Sequence, residues 1–546
     1  MFTYFHCYLP ETWDAQVKTG LVRPKTAGVR FVMTIRLDEK YKFNNLAKKG
    51  GDLYKIVSEN KFPLYIDRLQ GGDYIDVYPF DKDLVEDYKR MLGDKFFGFQ
   101  MHEWLSNYKN DLDHLKHIPD KKWTADVITK DVFRRNPFPY LNLSAMTAEE
   151  MEKVRPKTLE EFLKAGEWLF SDRQKRVDGE LTSCDSYFLT YPQEMRCGVK
   201  RIMPEIGYQT PNTRIQMSYA RGMAKAHGAK LGAYYESWGG KPFSVCCYNK
   251  DGKNEWAITQ AADFPYEMKG ASGGSSRSMQ KRMHLYAYMA GATFMSEEWG
   301  MCNTFIDWKN FELSPYGKVK KDFIDFVEKY SEIGVPVTPI AVVVPKDFIV
   351  EPMMHEGKYI GFSVQGDFLQ KVKKVHRGLK KIFCSTSPMF GAEKRSLLNC
   401  LTYDCIDIIT EEEAETGNYN YYIDLTSSSI FAEKFVKKII PADVGVVNKI
   451  IEKYLPCRIK GGVMKQVTRA ENGDYYLLLT NNCGITNTVK KGETVSPFST
   501  RSATIVPNSG YTITVEQTDG TYLSSEGKIK VTLPAGSYLF AKITAR

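Results

Sequence analysis

The stretch Lys230-Leu231-Gly232-Ala233-Tyr234-Tyr235-Glu236 has the composition of a short buried β-strand that ends in a carboxylate. Successive side chains of a strand point to opposite faces, so Glu236 shares its face with Gly232 and Tyr234, and we expect that face to point inward. The chain contains eight short β-rich runs before residue 300, this one included. They are 3–8, 31–36, 63–68, 96–103, 186–191, 201–206, 230–236 and 293–298.

Helical patterns lie between several of these runs. Thr210 followed by Pro211 is typical of a helix start, and the apolar residues that follow recur on one helical face. The stretches 279–289 and 319–330 repeat apolar residues with the same three-to-four spacing. Strands that alternate with helices indicate parallel βα units. Eight such units predict an α/β fold whose first part, residues 1–335, is a (β/α)8 TIM barrel.

The pattern changes after the barrel. Residues 335–339 resemble a linker, and Ile340-Ala341-Val342-Val343-Val344 reads as a buried parallel strand. With further strands near 403–409 and 421–425 and helices near 429–438 and 442–454, residues 336–455 predict a small parallel α/β domain. From 456 to 546, short strands are separated by Asn-Gly, Asp-Gly and Pro-Ala-Gly, which predicts a β-sandwich.

Composition excludes several classes of protein. The charge balance, 75 − 66 = +9, is mild for 546 residues, and the basic runs lack the aromatic interleaving of a nucleic-acid groove. The 11 cysteines contain no C-x-x-C, so reduced thiols are expected. Neither a signal peptide nor a membrane-spanning stretch is visible. We therefore expect a cytoplasmic protein without nucleic-acid or membrane partners, although a chain whose signal had been removed would look the same.

Aromatic residues are the unusual part of the composition, with 33 Tyr, 30 Phe and 8 Trp making 13% of the chain. Three of the tryptophans stand within two residues of a glutamate at the end of a predicted strand. The three pairs are Glu103 with Trp104, Glu236 with Trp238, and Glu298 with Trp299. Flat rings stack on the apolar face of a sugar, and paired carboxylates cleave glycosidic bonds. The pattern therefore predicts a site for carbohydrate.

Barrel enzymes use the carboxyl ends of their strands, and Glu103 and Glu236 end the fourth and seventh predicted strands. These strands face each other across the barrel, so the two carboxylates suit a retaining mechanism with one nucleophile and one acid/base. Alternation along the strand supports an inward-pointing Glu236. Gln100 and His102 are expected to point inward, so Glu103 would point outward unless the strand ends or bulges at this residue. Glu298 is the third catalytic candidate, since it shares a face with Ser296.

The remaining candidates are predicted to bind substrate. They are Asp67, Arg68, Gln100, His102, Trp104, Glu205, Tyr234, Trp238, Glu297 and Trp299. No His/Cys cluster with ligand spacing occurs, so no metal and no cofactor are predicted. The single G-x-S-x-G match, at 270–274, lacks the preceding buried strand of a hydrolase elbow.

The layout resembles the three-domain β-galactosidases of glycoside hydrolase family 42, and the passage from Leu313-Ser314-Pro315-Tyr316-Gly317 to Pro339-Ile340-Ala341 is similar to the join after their barrel. The resemblance implies a flavodoxin-like second domain used in oligomerisation. It also implies an acid/base at Glu103 and a nucleophile at Glu236. The clan usually has Asn before the acid/base, and here that position is His102.

The sequence thus predicts a glycosidase that acts on an oligosaccharide or glycoconjugate, with a homo-oligomer as a further expectation. Carboxylates about 6.5–9.5 Å apart would instead indicate inversion. Two alternatives stay open. One is a non-catalytic carbohydrate-binding protein on a barrel scaffold that keeps the three tryptophans. The other is a lyase or isomerase on acidic sugars that uses Tyr and His, for which Arg68 is the only hint.

Overall fold

A computed structural model describes most of the chain. The described residues are 2–31, 43–70, 81–114, 156–207, 210, 212–236, 276–298, 304–305, 310–352, 354–383, 399–488, 492–516 and 522–546. Within these ranges, only the backbone is described for residues 11, 67–70, 110–114, 486–488 and 492.

The first part of the chain is a closed barrel of eight parallel strands, in which two short segments together make the sixth strand. The segments are β1 (Thr3–Tyr8), β2 (Ala27–Phe31), β3 (Leu64–Gln70), β4 (Phe96–His102), β5 (Leu181–Cys184), β6 (Arg201–Ile202), β7 (Glu205–Gly207), β8 (Lys230–Glu236) and β9 (Phe294–Glu298). Apart from β6 and β7, which do not pair with each other, each segment pairs with its neighbour in chain order. β9 pairs with β1, and β6 and β7 both pair with β8. The predicted (β/α)8 TIM barrel is therefore confirmed.

The barrel interior is packed with aromatic rings. Phe5, Phe97 and Phe294 meet with ring centroids 5.0–6.1 Å apart, and Tyr65 and Tyr234 complete this buried cluster. Glycines give these rings room, because a Cβ at residue 232 would lie 2.4 Å from the Phe294 ring. Most of the aromatic surplus therefore belongs to the core.

Helices surround the barrel strands. Those described are Pro10–Lys18, Phe43–Leu46, Asp52–Asn60, Lys82–Leu92, Trp104–His114, Leu159–Arg176, Tyr191–Arg196, Thr213–His227, Arg277–Met289 and Pro315–Lys329. The apolar stripes predicted for 279–289 and 319–330 are largely buried, as expected. The helix predicted to begin at Thr210 begins instead at Thr213. Asn212 precedes it in a left-handed conformation, and the Asn212 amide donates to the carbonyl of Pro352.

Two predicted strands are misplaced. The second barrel strand is Ala27–Phe31 rather than 31–36, whose last five residues lie outside the described ranges. The fifth is Leu181–Cys184 rather than 186–191. Residues 186–190 form the loop after β5, and Leu189 there makes an isolated antiparallel bridge with Val350. A helix follows from Tyr191, because Pro192 occupies its first turn.

A smaller parallel sheet follows the barrel. Ile340–Val344 is its central strand, between Ile406–Thr410 and Tyr421–Asp424. The helices of this region are Gly366–Phe383, Glu411–Thr416, Ser429–Lys434 and Val444–Ile451, and a two-stranded ribbon joins Lys358–Tyr359 to Phe362–Ser363. A small parallel α/β unit is therefore present, while its flavodoxin-like identity and the predicted domain boundaries stay predictions.

The rest of the described chain is antiparallel β-structure in three sheets. A six-stranded sheet contains, in spatial order, Val335–Pro336, Met464–Arg469, Tyr475–Thr480, Tyr538–Ala545, Tyr511–Glu516 and Tyr522–Ser525. A three-stranded sheet contains Cys457–Lys460, Arg501–Pro507 and Ile529–Leu533, and a hairpin joins Ile485–Thr488 to Gly492–Val495. All-β character is as predicted, and the sandwich arrangement stays a prediction.

The barrel packs directly against the parallel sheet. Gly222 on helix Thr213–His227 touches strand Ile406–Thr410, where an added Cβ would lie 2.1 Å from the carbonyl oxygen of Ile408. One residue earlier, buried Arg221 bonds the buried Asp407 carboxylate at 2.5 Å. Among the described helices, none is long and apolar enough to cross a bilayer. None of the seven cysteines in the described ranges forms a disulfide.

Candidate active site

Four glutamates converge at the carboxyl ends of the barrel strands. Glu103 directly follows β4, Glu205 begins β7, and Glu236 and Glu298 end β8 and β9 as register partners. Three of them are buried, and the side chain of Glu103 is 18% exposed. This end of a barrel is where barrel enzymes carry their sites, so the acidic mouth is the candidate active site.

Glu103 enters the mouth because its backbone leaves the strand. β4 ends at His102, and Glu103 has φ = 45°, in the left-handed region. Its N–H donates to the carbonyl of Cys184 at 2.6 Å, and the Ser186 hydroxyl donates to its Oε1. Non-glycine residues in this region are held there by their surroundings. The strand end that the sequence required for an inward Glu103 is therefore observed.

His102 is oriented by hydrogen bonds from buried residues of the barrel interior. The Tyr65 hydroxyl donates to Gln100 Oε1, and Gln100 Nε2 lies 2.9 Å from His102 Nδ1. With Nδ1 as the acceptor, the ring proton is on Nε2, which lies 3.8 Å from a carboxylate oxygen of Glu103 and of Glu205. His102 thus places an N–H between two carboxylates of the mouth.

Tyr187, in the loop after β5, brings a hydroxyl to the same carboxylates. Burial raises the pKa of this hydroxyl, and the charges of the four glutamates raise it further, with Glu236 contributing most and Glu103 next. Tyr187 therefore stays protonated throughout the working range of most enzymes. It can donate a hydrogen bond to a carboxylate or a substrate oxygen, but it is a poor general base.

Glu236 faces inward, as the alternation of its strand predicts. Its register partner Gly207 leaves the room it needs, since a Cβ there would lie 2.6 Å from Glu236 Cβ and 3.0 Å from its Oε2. Tyr234, two residues earlier, is in the barrel interior, where Arg30 donates to its hydroxyl at 2.6 Å. Tyr235 points the other way and packs against His284.

One subset of the mouth has metal-ligand chemistry. Single ligand atoms of His102, Glu205 and Glu298 lie within 4.8 Å of one another. These residue types bind divalent cations such as Zn²⁺ or Mn²⁺. The hydrogen bond from Gln100 argues against this use, because a ligating Nε2 must be unprotonated.

Glu297 was predicted to bind substrate, but the structure places its side chain away from the mouth. Its side chain lies on the helix-facing side of β9, buried against Lys320 Nζ at 2.6 Å and His284 Nε2 at 3.0 Å. The Tyr4 hydroxyl also donates to it at 2.6 Å. Lys320 and His284 keep the pKa of Glu297 well below its ordinary value despite burial. Adjacent residues of a strand face opposite ways, so only Glu298 of this pair reaches the mouth.

This buried ion pair predicts a large stability effect. K320M leaves the Glu297 charge buried without its lysine, and we expect the free energy of unfolding to fall by about 3–5 kcal/mol at pH 7. A lowered carboxylate pKa stabilises the fold above the unfolded-state pKa of about 4.3 and loses this effect as pH falls. In urea titrations below that pH, the free energies of unfolding of K320M and wild type should therefore become more alike.

The neighbouring lysine on the same helix is a matched control. Lys321 pairs with Asp325 at 3.0 Å, and both side chains are partly exposed. K321M should therefore cost less than about 1 kcal/mol. Equal effects of the two substitutions would contradict a stabilising role for the buried pair.

Trp104 was predicted to stack on sugar, and the structure places it in the core instead. Its side chain is 1% exposed, packs against Phe170 and donates from Nε1 to Thr190 Oγ1 and Glu194 Oε1 at 2.8 and 3.0 Å. A ring without an exposed face cannot stack on a ligand. Because the helix begins at Trp104, this side chain points to the helix layer although its neighbour Glu103 points to the mouth.

The other predicted binding residues have mixed outcomes. Gln100 and Tyr234 are fully buried and contact His102 and Arg30, so they support the mouth from beneath. Glu205 lies in the mouth beside His102. Four predicted residues, Asp67, Arg68, Trp238 and Trp299, lie outside the described residues or side chains, as does the G-x-S-x-G match at 270–274.

Sequence reasoning missed Arg30, Ser186 and Tyr187. Arg30 is a charged residue within an apolar run, which could have marked it as a buried functional group. Ser186 and Tyr187 were assigned to a strand, which removed them from consideration as loop residues at the carboxyl ends.

Comparisons with known proteins add distant neighbours. No protein-family model matches the chain, and no curated protein matches its sequence. An alpha-L-fucosidase isoenzyme 2 from Paenibacillus thiaminolyticus is 9% identical, with 100% of this chain and 99% of that one covered and a TM-score of 0.41. A polyextremophilic beta-galactosidase from the Antarctic haloarchaeon Halorubrum lacusprofundi is 9% identical, with the same coverages and a TM-score of 0.42.

A third neighbour is a xylanase of glycoside hydrolase family 30 subfamily 8 from Clostridium acetobutylicum. It is 7% identical, with 100% of this chain and 96% of that one covered and a TM-score of 0.34. All three neighbours are glycoside hydrolases, and membership of family 42 is not confirmed. Identities this low leave the residues of the mouth as the basis for assigning a function.

Proposed function

We propose that this protein is a retaining glycoside hydrolase in which Glu236 is the nucleophile and Glu103 the acid/base. The observation that carries the proposal is that the carboxylates at the ends of the fourth and seventh barrel strands belong to one mouth. Glu103 and Glu205 each have a carboxylate oxygen 3.8 Å from His102 Nε2, and Glu236 is the register partner of Gly207, two residues after Glu205. Two carboxyl groups on either side of one bond are what glycosidic cleavage requires. The family 42 layout is the more specific form of the same proposal.

The proposed reaction has two steps. In the first, Glu103 gives its proton to the leaving oxygen while a Glu236 carboxylate oxygen bonds to the anomeric carbon and the glycosidic bond breaks. In the second, Glu103 takes a proton from water, whose oxygen bonds to the anomeric carbon as the bond to Glu236 breaks. Tyr187, as a permanent donor, is placed to hydrogen-bond the nucleophile or the ring oxygen.

The charge of the mouth favours a particular class of substrate. Four glutamates line it, and Arg30 is buried against the ring of Tyr234 in the barrel interior. An anionic sugar would meet like charge at close range. We therefore propose that the substrate is a neutral oligosaccharide or the neutral end of a glycoconjugate, which also disfavours a lyase or isomerase on acidic sugars.

The alternatives have less support. A lyase or isomerase that uses Tyr as its base does not fit Tyr187, whose pKa is raised by burial and by the glutamates. A sugar-binding protein would need exposed rings, and Trp104 is buried. A metal-dependent sugar isomerase is favoured only by the His102, Glu205 and Glu298 cluster. Such an isomerase would lose its activity in EDTA and regain it with Mn²⁺, whereas the proposed hydrolase would be unaffected.

A substrate panel tests the proposal. We expect the protein to release aglycone from at least one neutral aryl glycoside, and NMR of the first product should show the anomeric configuration of the substrate. Inversion would disprove the assigned mechanism. Failure to cleave any member of a panel of aryl glycosides and natural oligosaccharides, with the protein folded by circular dichroism, would disprove the proposed function.

A further inference from the structure

A second pair of carboxyl groups lies beneath the loop that carries Ser186 and Tyr187. Asp185 directly follows β5, and Glu194 is on helix Tyr191–Arg196; the two residues are 1% and 0% exposed. The Thr190 hydroxyl lies between them, 2.6 Å from Asp185 Oδ2 and 2.8 Å from Glu194 Oε1. This pair is separate from the four glutamates of the mouth.

The protons in this cluster can be counted from its contacts. A threonine hydroxyl has one proton, so it can donate to only one of the two carboxyl oxygens. If both groups were ionised, the other contact would join two oxygens with no proton between them. One carboxyl group must therefore hold a proton.

The hydrogen bonds locate that proton on Asp185. Glu194 accepts from Trp104 Nε1 at 3.0 Å and from the Ser183 hydroxyl at 2.5 Å, as an ionised carboxylate does. Burial, followed by the charge of Glu194, raises the pKa of Asp185 well above its ordinary value. The pair is thus a carboxylic acid linked through the Thr190 hydroxyl to a carboxylate, with one negative charge.

The pair is connected to Glu103 from two sides. Glu194 accepts a hydrogen bond from Trp104, the residue directly after Glu103. This bond fixes the chain next to the left-handed backbone of Glu103. Through Thr190, Asp185 closes the loop 185–190, from which the Ser186 hydroxyl donates to Glu103. The N–H of Glu205 also donates to the carbonyl of Asp185 at 2.9 Å.

We propose that Asp185 and Glu194 share one proton and act as positioning residues for Glu103, so that loss of this proton loosens the acid/base. The catalytic consequence rests on the proposed function, whereas the shared proton does not. When the proton is lost, two negative charges face each other in the core and repel. Activity should then fall on the alkaline side, because Glu103 is held less firmly.

Other ionisable groups surround the pair. Cys184 on β5 and Tyr191 on the helix have pKa values raised mainly by burial, with Asp185 among the further causes. The pKa of the half-buried Cys197 is also raised mainly by burial, and the charge of Glu194 is among the further causes. Thiols and phenols ionise only in the alkaline range, and burial raises the pKa of these three groups further, so they are neutral at neutral pH.

The test compares D185N, E194Q and a control, E351Q. Glu351 is also a buried carboxyl group, with a pKa that burial raises to about 7, but it lies in the region after the barrel. At pH 8, Glu351 is ionised, and infrared difference spectra should show a protonated-carboxyl C=O band in wild type and E351Q. We expect D185N to lack this band, and its persistence in D185N would overturn the shared proton.

Kinetics test the positioning role. The amide introduced by D185N mimics a neutral carboxylic acid, so this variant should lower kcat less than about threefold. The amide has no proton to lose, so the alkaline limb of the pH–rate profile should move to higher pH. E194Q removes the charged acceptor of Trp104 and should lower kcat by about tenfold or more with KM within threefold. If D185N and E194Q lower kcat equally and the alkaline limb of the pH–rate profile does not move in D185N, the positioning role of the pair is contradicted.

The two proposals fail in different ways. If wild type cleaves no glycoside, the proposed function fails, while the infrared band still decides whether the proton is shared. If wild type is active and the band is absent at pH 8, the pair proposal fails alone. If E194Q does not fold, D185N supplies both the band and the alkaline limb.

Discussion

E236Q is expected to lower kcat on the best aryl glycoside by at least about 10³-fold, because an amide cannot form the covalent bond on which both steps depend. Glutamine has the shape of glutamate and fits the space beside Gly207. The free energy of unfolding should therefore change little, and the loss can be assigned to chemistry. Initial rates and urea titrations of the same preparations measure the two effects.

Glu298 offers a matched control for Glu236. It is the register partner of Glu236, is equally buried and lies in the same mouth. Since a carboxylate oxygen of Glu298 lies within 4.8 Å of ligand atoms of His102 and Glu205, E298Q should act mainly on substrate binding and raise KM. If E298Q abolishes turnover and E236Q retains more than a tenth of it, the two roles are exchanged.

Small nucleophiles sharpen the same test. In E236A, azide can enter the space left by the carboxylate and attack the anomeric carbon while Glu103 protonates the leaving oxygen. The product is then a glycosyl azide with inverted configuration. An azide product with retained configuration would place the nucleophile elsewhere.

Alternation along a strand was the most reliable guide in the sequence. It placed Gly232, Tyr234 and Glu236 on one face, and it favoured Glu298 over Glu297. These predictions depend only on the period of a strand, which neighbouring elements do not alter. The same rule showed that Glu103 needed an early strand end, although it could not supply the left-handed backbone that provides it.

Neighbourhood in the sequence was a poor guide where one element ends and the next begins. Glu103 and Trp104 are adjacent, yet one lies in the mouth and the other in the helix layer, since a helix starts between them. Residues 186–191 have strand-forming side chains, but 186–190 form a loop in which Leu189 pairs with Val350, over 150 residues later, and Tyr191 begins a helix. Local propensity does not include such distant contacts. Tyr187 escaped notice for the same reason.

E103Q is expected to affect the two chemical steps unequally, in a way that identifies an acid/base. With natural or phenyl leaving groups, bond breaking needs the proton of Glu103, and the rate should fall by about 10²–10⁴-fold. With a dinitrophenyl leaving group, no proton is needed, so the first step stays fast. The second step still lacks a base, and the glycosyl-enzyme should accumulate and give a burst of dinitrophenol equal to the enzyme concentration.

Azide distinguishes this role from that of the nucleophile, because it needs no base to attack the glycosyl-enzyme of E103Q. Steady-state turnover of the dinitrophenyl glycoside should rise with azide concentration, and the glycosyl azide should keep the substrate's configuration, opposite to the product of E236A. S186A is the milder comparison. It removes the hydroxyl that donates to Glu103 and keeps the carboxylate, so it should lower kcat without a burst. Loss of activity in E103Q that is equal for all leaving groups would exclude Glu103 as the acid/base.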